Sequence, residues 1–128
     1  SFNSGVTRPY EYRVTQLRNL LRMLTENNVI FQDALYKDLR KCKEEAILTE
    51  INVAIEEFKT IIESLKDWMK PIKPEKRISN ILDDIIIYQE PYGVTLVISP
   101  WNYPLQLALV PLAAAISAGN CCILKPSE

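Results

Sequence analysis

The chain has 128 residues, enough for about one domain, with 15 Lys and Arg against 16 Asp and Glu, a net charge of −1 and no His. That balance gives no basic footprint for nucleic acid, and the missing His excludes Ser-His-Asp and Cys-His catalysis and any His-ligated metal. Three Cys are too few for a disulfide scaffold and fit a reducing compartment, while 48% hydrophobic and 24% charged residues exclude wholesale disorder.

Thr7, ahead of Arg8-Pro9, reads as the start of a first helix, because Pro is tolerated in a first helical turn. Val14, Leu17, Leu21 and Leu24 fall on one face, with Leu20 beside them and Arg13, Arg18 and Arg22 off the stripe. Asn27-Asn28 interrupts this helix, and a second runs from Val29 to Leu39 on Ile30, Phe31, Leu35 and Leu39. Ile47, Ile51, Ile55, Phe58, Ile62, Leu65 and Met69 place a third helix on one apolar stripe. The stripe is too short for a sustained coiled coil and reads as internal packing. Pro71 and Pro74 end the helix and open the linker PIKPEKR.

The period then changes. Residues 85–88 (IIIY) and 94–98 (VTLVI) read as strands, the second as a continuous apolar strand buried on both faces of a parallel sheet. Leu105 to Ala118 reads as a helix stopped by Gly119-Asn120, and Cys121 to Leu124 as a further strand. Strand, helix and strand make a βαβ unit, whose crossover is right-handed almost without exception. The expected fold class is α/β.

Charge is unevenly spread. Residues 1–77 hold 26 of the 31 charged side chains, and none lies between Pro91 and Leu124. The longest apolar run, Leu107 to Ile116, is ten residues with Pro111 inside it, against roughly 20 for a membrane span. The N-terminus has no apolar signal segment. The charge-free stretch is therefore expected to be covered by more protein, as the opening of a larger α/β domain.

Ligands of parallel sheets bind beyond the carboxyl ends of the strands, where Ser99-Pro100-Trp101-Asn102 and Lys125-Pro126-Ser127-Glu128 fall. Asn102 is either the N-cap of the following helix or a neutral donor to a developing oxyanion, and spacing alone favours the cap. Trp101 suits packing or stacking, Lys125 a phosphate or ribose hydroxyl, and Glu128 ribose hydroxyls or plain solvent. Cys121 and Cys122 read as small buried hydrophobes and Cys42 as an ordinary surface thiol. With only Gly5, Gly93 and Gly119, the chain has no G-x-G-x-x-G fingerprint.

The stretch EPYGVTLVISPWNYPLQLALVPLAAAISAGNCCILKPSE, residues 90–128, resembles the aldehyde dehydrogenase superfamily through Pro100-Trp101-Asn102-Tyr103-Pro104, Ala118-Gly119-Asn120 and Lys125-Pro126-Ser127-Glu128. The preceding helices, from TRPYEYRVTQLRNL, resemble its class 3 (fatty and aromatic aldehyde) branch. The resemblance implies a Rossmann-like cofactor domain that lacks the Gly-rich loop, and oxidation of aldehydes to carboxylic acids with NAD or NADP through a cysteine thiohemiacetal. It makes Asn102 the oxyanion-hole asparagine. Lys125 and Glu128 become contacts to the cofactor ribose, and Ile98, Ser99, Pro100 and Trp101 the lining of the cofactor cleft. Residues 1–77 become the helical part of the cofactor domain, 78–92 a bridging and oligomerisation strand, and 93–128 the first βαβ unit.

The resemblance puts the nucleophilic cysteine and the general-base glutamate downstream of Glu128. The chain is thus expected to be an N-terminal portion without the catalytic domain, inactive alone. The full-length protein is expected to be a cytoplasmic homodimer with no metal, touching membrane only through a C-terminal anchor outside this chain. Two alternatives stand beside this: a short non-catalytic helical module that pairs with full-length subunits, and a membrane-associated chain using its apolar C-terminal half.

Overall fold

The computed structural model describes residues 2–128. Helix α1 (Tyr10–Glu26) begins one residue after Pro9, whose extended backbone (φ −61°, ψ 142°) keeps the helix from starting at Thr7. The Thr7 hydroxyl instead donates to Gly119 O, 2.7 Å away. At the other end the Asn27 amide donates to Met23 O (2.9 Å), closing α1 before α2 (Asn28–Leu39) begins. Arg40, in the left-handed region (φ 57°), ends α2. Only Leu35 of α2 is buried, and Val29 and Ile30 face solvent, so the apolar positions expected to anchor this helix do not all do so.

The third predicted helix is interrupted. A short helix α3 (Lys43–Ala46) runs into a π-helical turn (Ile47–Ile51) and then into α4 (Asn52–Trp68). The Asn52 N–H reaches back five residues to Ile47 O, which rotates α4 relative to the course of an uninterrupted α-helix. Glu50 and Ile51, neighbours in sequence within this turn, are both fully buried. The buried stripe of α4 is Ala54, Phe58, Ile61 and Leu65, while Ile55, Ile62 and Met69 sit at its margin.

Strands β1 (Val94–Ile98) and β2 (Cys121–Lys125) pair in parallel, Val94 opposite Cys121 and Ile98 opposite Lys125, with α5 (Gln106–Ser117) between them in sequence. Helix α5 packs on the sheet with one side and on α1 and α4 with the other. Val14, Leu17 and Leu24 of α1, Phe58 and its neighbours on α4, and Leu109 and Ala113 of α5 form one core. This explains how a helix with no charge is covered. Among the described residues only the α5 side of the sheet is covered: Val94, Leu96, Ile98 and Ile123 are exposed, where burial on both faces was expected. Cys121 and Cys122 are half-buried.

Residues 85–88 form no strand. Ile87 makes a single antiparallel bridge to Ile72, with both N–H···O bonds at 2.9 Å. A β-branched run forms a ladder only where a neighbouring strand supplies partners for its backbone, and one bridge is all this segment finds among the described residues. No helix among them is long and apolar enough to cross a membrane.

The C-terminus of α5 is tied to α1. Arg13, placed off the apolar stripe by its spacing, is buried, donating from Nη1 to Ser117 O (3.0 Å) and from Nε to Thr7 O (3.2 Å). Burial, with nearby Arg8 as a second cause, lowers its pKa from the ordinary guanidinium value. Gly119 turns the chain away with φ 86°, and a Cβ there would lie 2.5 Å from the guanidinium. Gly119→Ala is therefore expected to cost about 1–2 kcal/mol for left-handed backbone alone, plus the displacement of Arg13. A urea midpoint close to wild type would contradict this. Phe58→Ala, in the centre of the core, is expected to lower the unfolding free energy by about 3–5 kcal/mol in the same titration.

Candidate functional site

The carboxyl ends of both strands open onto one edge. The Ser99 N–H donates to Lys125 O (3.1 Å), the last rung before the two chains diverge. Beyond it Ser99 to Asn102 leave β1 and Pro126 to Glu128 leave β2, so the structure brings both predicted segments together. Ile98, Pro100, Trp101, Asn102, Lys125 and Glu128 are exposed there. Ser99 alone is buried, 3% exposed, and its hydroxyl has no hydrogen-bond partner among the described residues.

The loop between Ser99 and α5 is held from outside. Glu50, in the π turn and 0% exposed, accepts from the N–H groups of Leu105 (2.8 Å) and Gln106 (3.3 Å) with Oε2. These are orphan donors of the first turn of α5, and a carboxylate placed there also meets the positive end of the helix dipole. Its Oε1 accepts from Lys41 Nζ at 2.5 Å. The same ammonium donates to Asn102 O (2.9 Å) and lies 3.9 Å from the centre of the Tyr103 ring, a cation–π distance.

This corrects the capping reading of Asn102. Glu50, 55 residues upstream of Leu105, supplies the cap. Asn102 contributes only its backbone carbonyl to the network, and its side-chain amide has no hydrogen-bond partner among the described residues. The exposed amide is a neutral double donor at a strand edge, suited to an anionic oxygen. Lys125 makes one long contact to its neighbour, Nζ to Pro126 O at 3.4 Å, and its donors otherwise face solvent. Glu128 offers acceptors on the same edge.

Sequence reasoning missed Lys41 and Glu50. For Glu50 a signal existed: it lies four residues before Ala54 and eight before Phe58, in phase with the buried side of α4. Lys41 gives none, because nothing local tells a buried lysine from the exposed lysines around it. A cavity of about 580 Å³ lined by Arg13, Trp68, Tyr92 and Asn120 opens at the opposite, amino end of the strands. None of the candidate residues reaches it.

A family model described as the aldehyde dehydrogenase family matches residues 4–128. Aldehyde dehydrogenase family 3 member B1 of Bos taurus is 47% identical over all 128 residues, which cover 27% of that protein. Among solved structures, substrate-bound AldH of Staphylococcus aureus superposes with a TM-score of 0.95 at 38% identity, over 99% of this chain and 28% of the other. Glyceraldehyde-3-phosphate dehydrogenase GapN of Methanocaldococcus jannaschii, solved with NADP, gives 0.80 at 26% identity, over 98% of this chain and 26% of that one. The chain thus spans about a quarter of the length of these three proteins. Its helices and its short parallel sheet have the aldehyde dehydrogenase fold, and the chain belongs to the aldehyde dehydrogenase family.

Proposed function

We propose that this chain is the cofactor-side opening of an NAD(P)-dependent aldehyde dehydrogenase, in which an aldehyde is oxidised to a carboxylic acid through a thiohemiacetal on a cysteine outside these 128 residues. The observation that carries the reading is Asn102. Its amide is exposed and unpartnered at the strand edge because Glu50 does the capping. An amide N–H aimed at the former aldehyde oxygen stabilises charge that develops only as the thiolate adds. Being neutral, it competes neither for the thiolate nor for protons.

The residues at the edge fit a nicotinamide dinucleotide. Lys125 offers ammonium donors and Glu128 carboxylate acceptors to ribose hydroxyls, and the buried Ser99 hydroxyl lacks a partner among the described residues. Ile98, Pro100 and Trp101 supply exposed apolar surface beside them. Such a dinucleotide, when bound, supplies the hydride acceptor. Within the same proposal, residues 78–92 serve contacts between subunits of a homodimer, with Ile78 and Leu82 as exposed apolar surface.

In the full-length protein, Asn102→Ala is expected to reduce kcat for aldehyde oxidation about 10²–10³-fold, with KM for the dinucleotide unchanged. Lys125→Ala is expected to act the other way, raising the dinucleotide KM and leaving kcat near wild type, because ribose contacts bind ground and transition state alike. Both are read from NADH or NADPH absorbance in steady-state assays. Wild-type kcat in Asn102→Ala would remove the oxyanion role.

A further inference from the structure

The Lys41–Glu50 pair is buried, and neither charged group lies on the open edge itself. Replacing a buried ion pair with apolar side chains of similar volume is often neutral or stabilising. Stability alone is therefore a weak reason for its presence. What an apolar pair lacks is direction. Here each polar atom has a target in the loop or in the helix after it: Oε2 holds Leu105 N and Gln106 N, while Nζ holds Asn102 O. The Tyr103 ring closes over the ammonium. The backbone from Asn102 to Gln106 is thus gripped at three points by two side chains from the α2–α4 region. Glu50 itself lies in the π turn, buried beside Ile51 and in phase with Ala54 and Phe58 of α4.

We propose that Lys41 and Glu50 are positioning residues that hold the Asn102 amide at its working place by fixing the backbone of the Asn102 loop. This rests on the oxyanion role of Asn102 argued above. The pair acts through a backbone carbonyl and a helix start, and neither residue touches the reacting atoms. Its effect belongs to the step in which oxyanion charge develops, so it changes kcat and leaves dinucleotide binding at Lys125 and Glu128 alone.

The test is a double-mutant cycle in the full-length protein. Glu50→Gln keeps one acceptor for the α5 N–H groups and removes the partner of the ammonium. We expect a folded protein by circular dichroism, kcat reduced about 10- to 100-fold, as for a displaced catalytic group, and an unchanged dinucleotide KM. The decisive reading is the combination with Asn102→Ala. If the pair works through Asn102, adding Asn102→Ala to Glu50→Gln costs much less than it does in the wild type.

Multiplicative losses, or wild-type kcat in Glu50→Gln, overturn the proposal. Should Glu50→Gln fail to fold, Lys41→Gln is run through the same cycle, and failure of both to fold assigns the pair to structure and overturns it as well. The underlying reading fails separately. If Asn102→Ala alone keeps full kcat, the oxyanion role is lost whatever the pair variants do.

Discussion

A single buried ion pair ties the loop at the open edge to the helical part of the chain. Lys41 and Glu50 bring opposite charges into a dry interior, where each is tolerated only with the other and with its remaining hydrogen-bond capacity used. The structure meets that requirement at the start of α5, through the Leu105 and Gln106 N–H groups and the Asn102 carbonyl. One interaction therefore joins the end of α2, the π turn, the strand-edge loop and α5. Because Glu50 takes the capping duty, the Asn102 side chain is left without one.

Helix α5 is supported at both ends in the same way. A carboxylate from the π turn meets its amino end and a guanidinium from α1 meets its carbonyl end, each matching the sign of the helix dipole. The helix brings no charge of its own. Its polar ends are completed by residues far away in sequence, Glu50 on one side and Arg13 with Thr7 on the other. That arrangement lets a helix without charged residues, with Pro111 inside it, lie between a sheet and two other helices with the Leu105 and Gln106 N–H groups and the Ser117 carbonyl paired from outside it. It also fixes where β1 and β2 begin, since Gly119 closes against Arg13 and the Asn120 side chain accepts from Gly93 N (2.8 Å).

Much of this was legible from local pattern. Strand β1 lies where VTLVI put it, β2 runs one residue past CCIL, and α5 ends just before the Gly119-Asn120 stop. The meeting of Ser99–Asn102 with Lys125–Glu128 at one edge followed from the βαβ unit alone. Periodicity failed where burial depends on a distant partner. Val29 and Ile30 carry strand-like apolar side chains but face solvent, and the IIIY run makes one bridge in place of a strand. The Ile47–Met69 stripe was the right helix with the wrong centre: Ala54 and Ile61 lie on the buried side with Phe58 and Leu65 while Ile55 and Ile62 flank it, because what α1 and α5 cover, and not side-chain size, sets the centre of the face.

The sequence by itself determined the order of the long helices, the βαβ unit, the strand edge that carries the candidate residues and, through Pro100-Trp101-Asn102 and Lys125-Pro126-Ser127-Glu128, the family. These are local properties: turn residues, side-chain period and short motifs act over a few residues. Only the tertiary structure decided that Arg13 is buried, that Glu50 in place of Asn102 caps α5, and that Lys41 holds the Asn102 carbonyl. Each of these joins a charged side chain to backbone groups of a distant element. Whether such a side chain lies in water or in the interior depends on which backbone donors and acceptors folding leaves unpaired beside it.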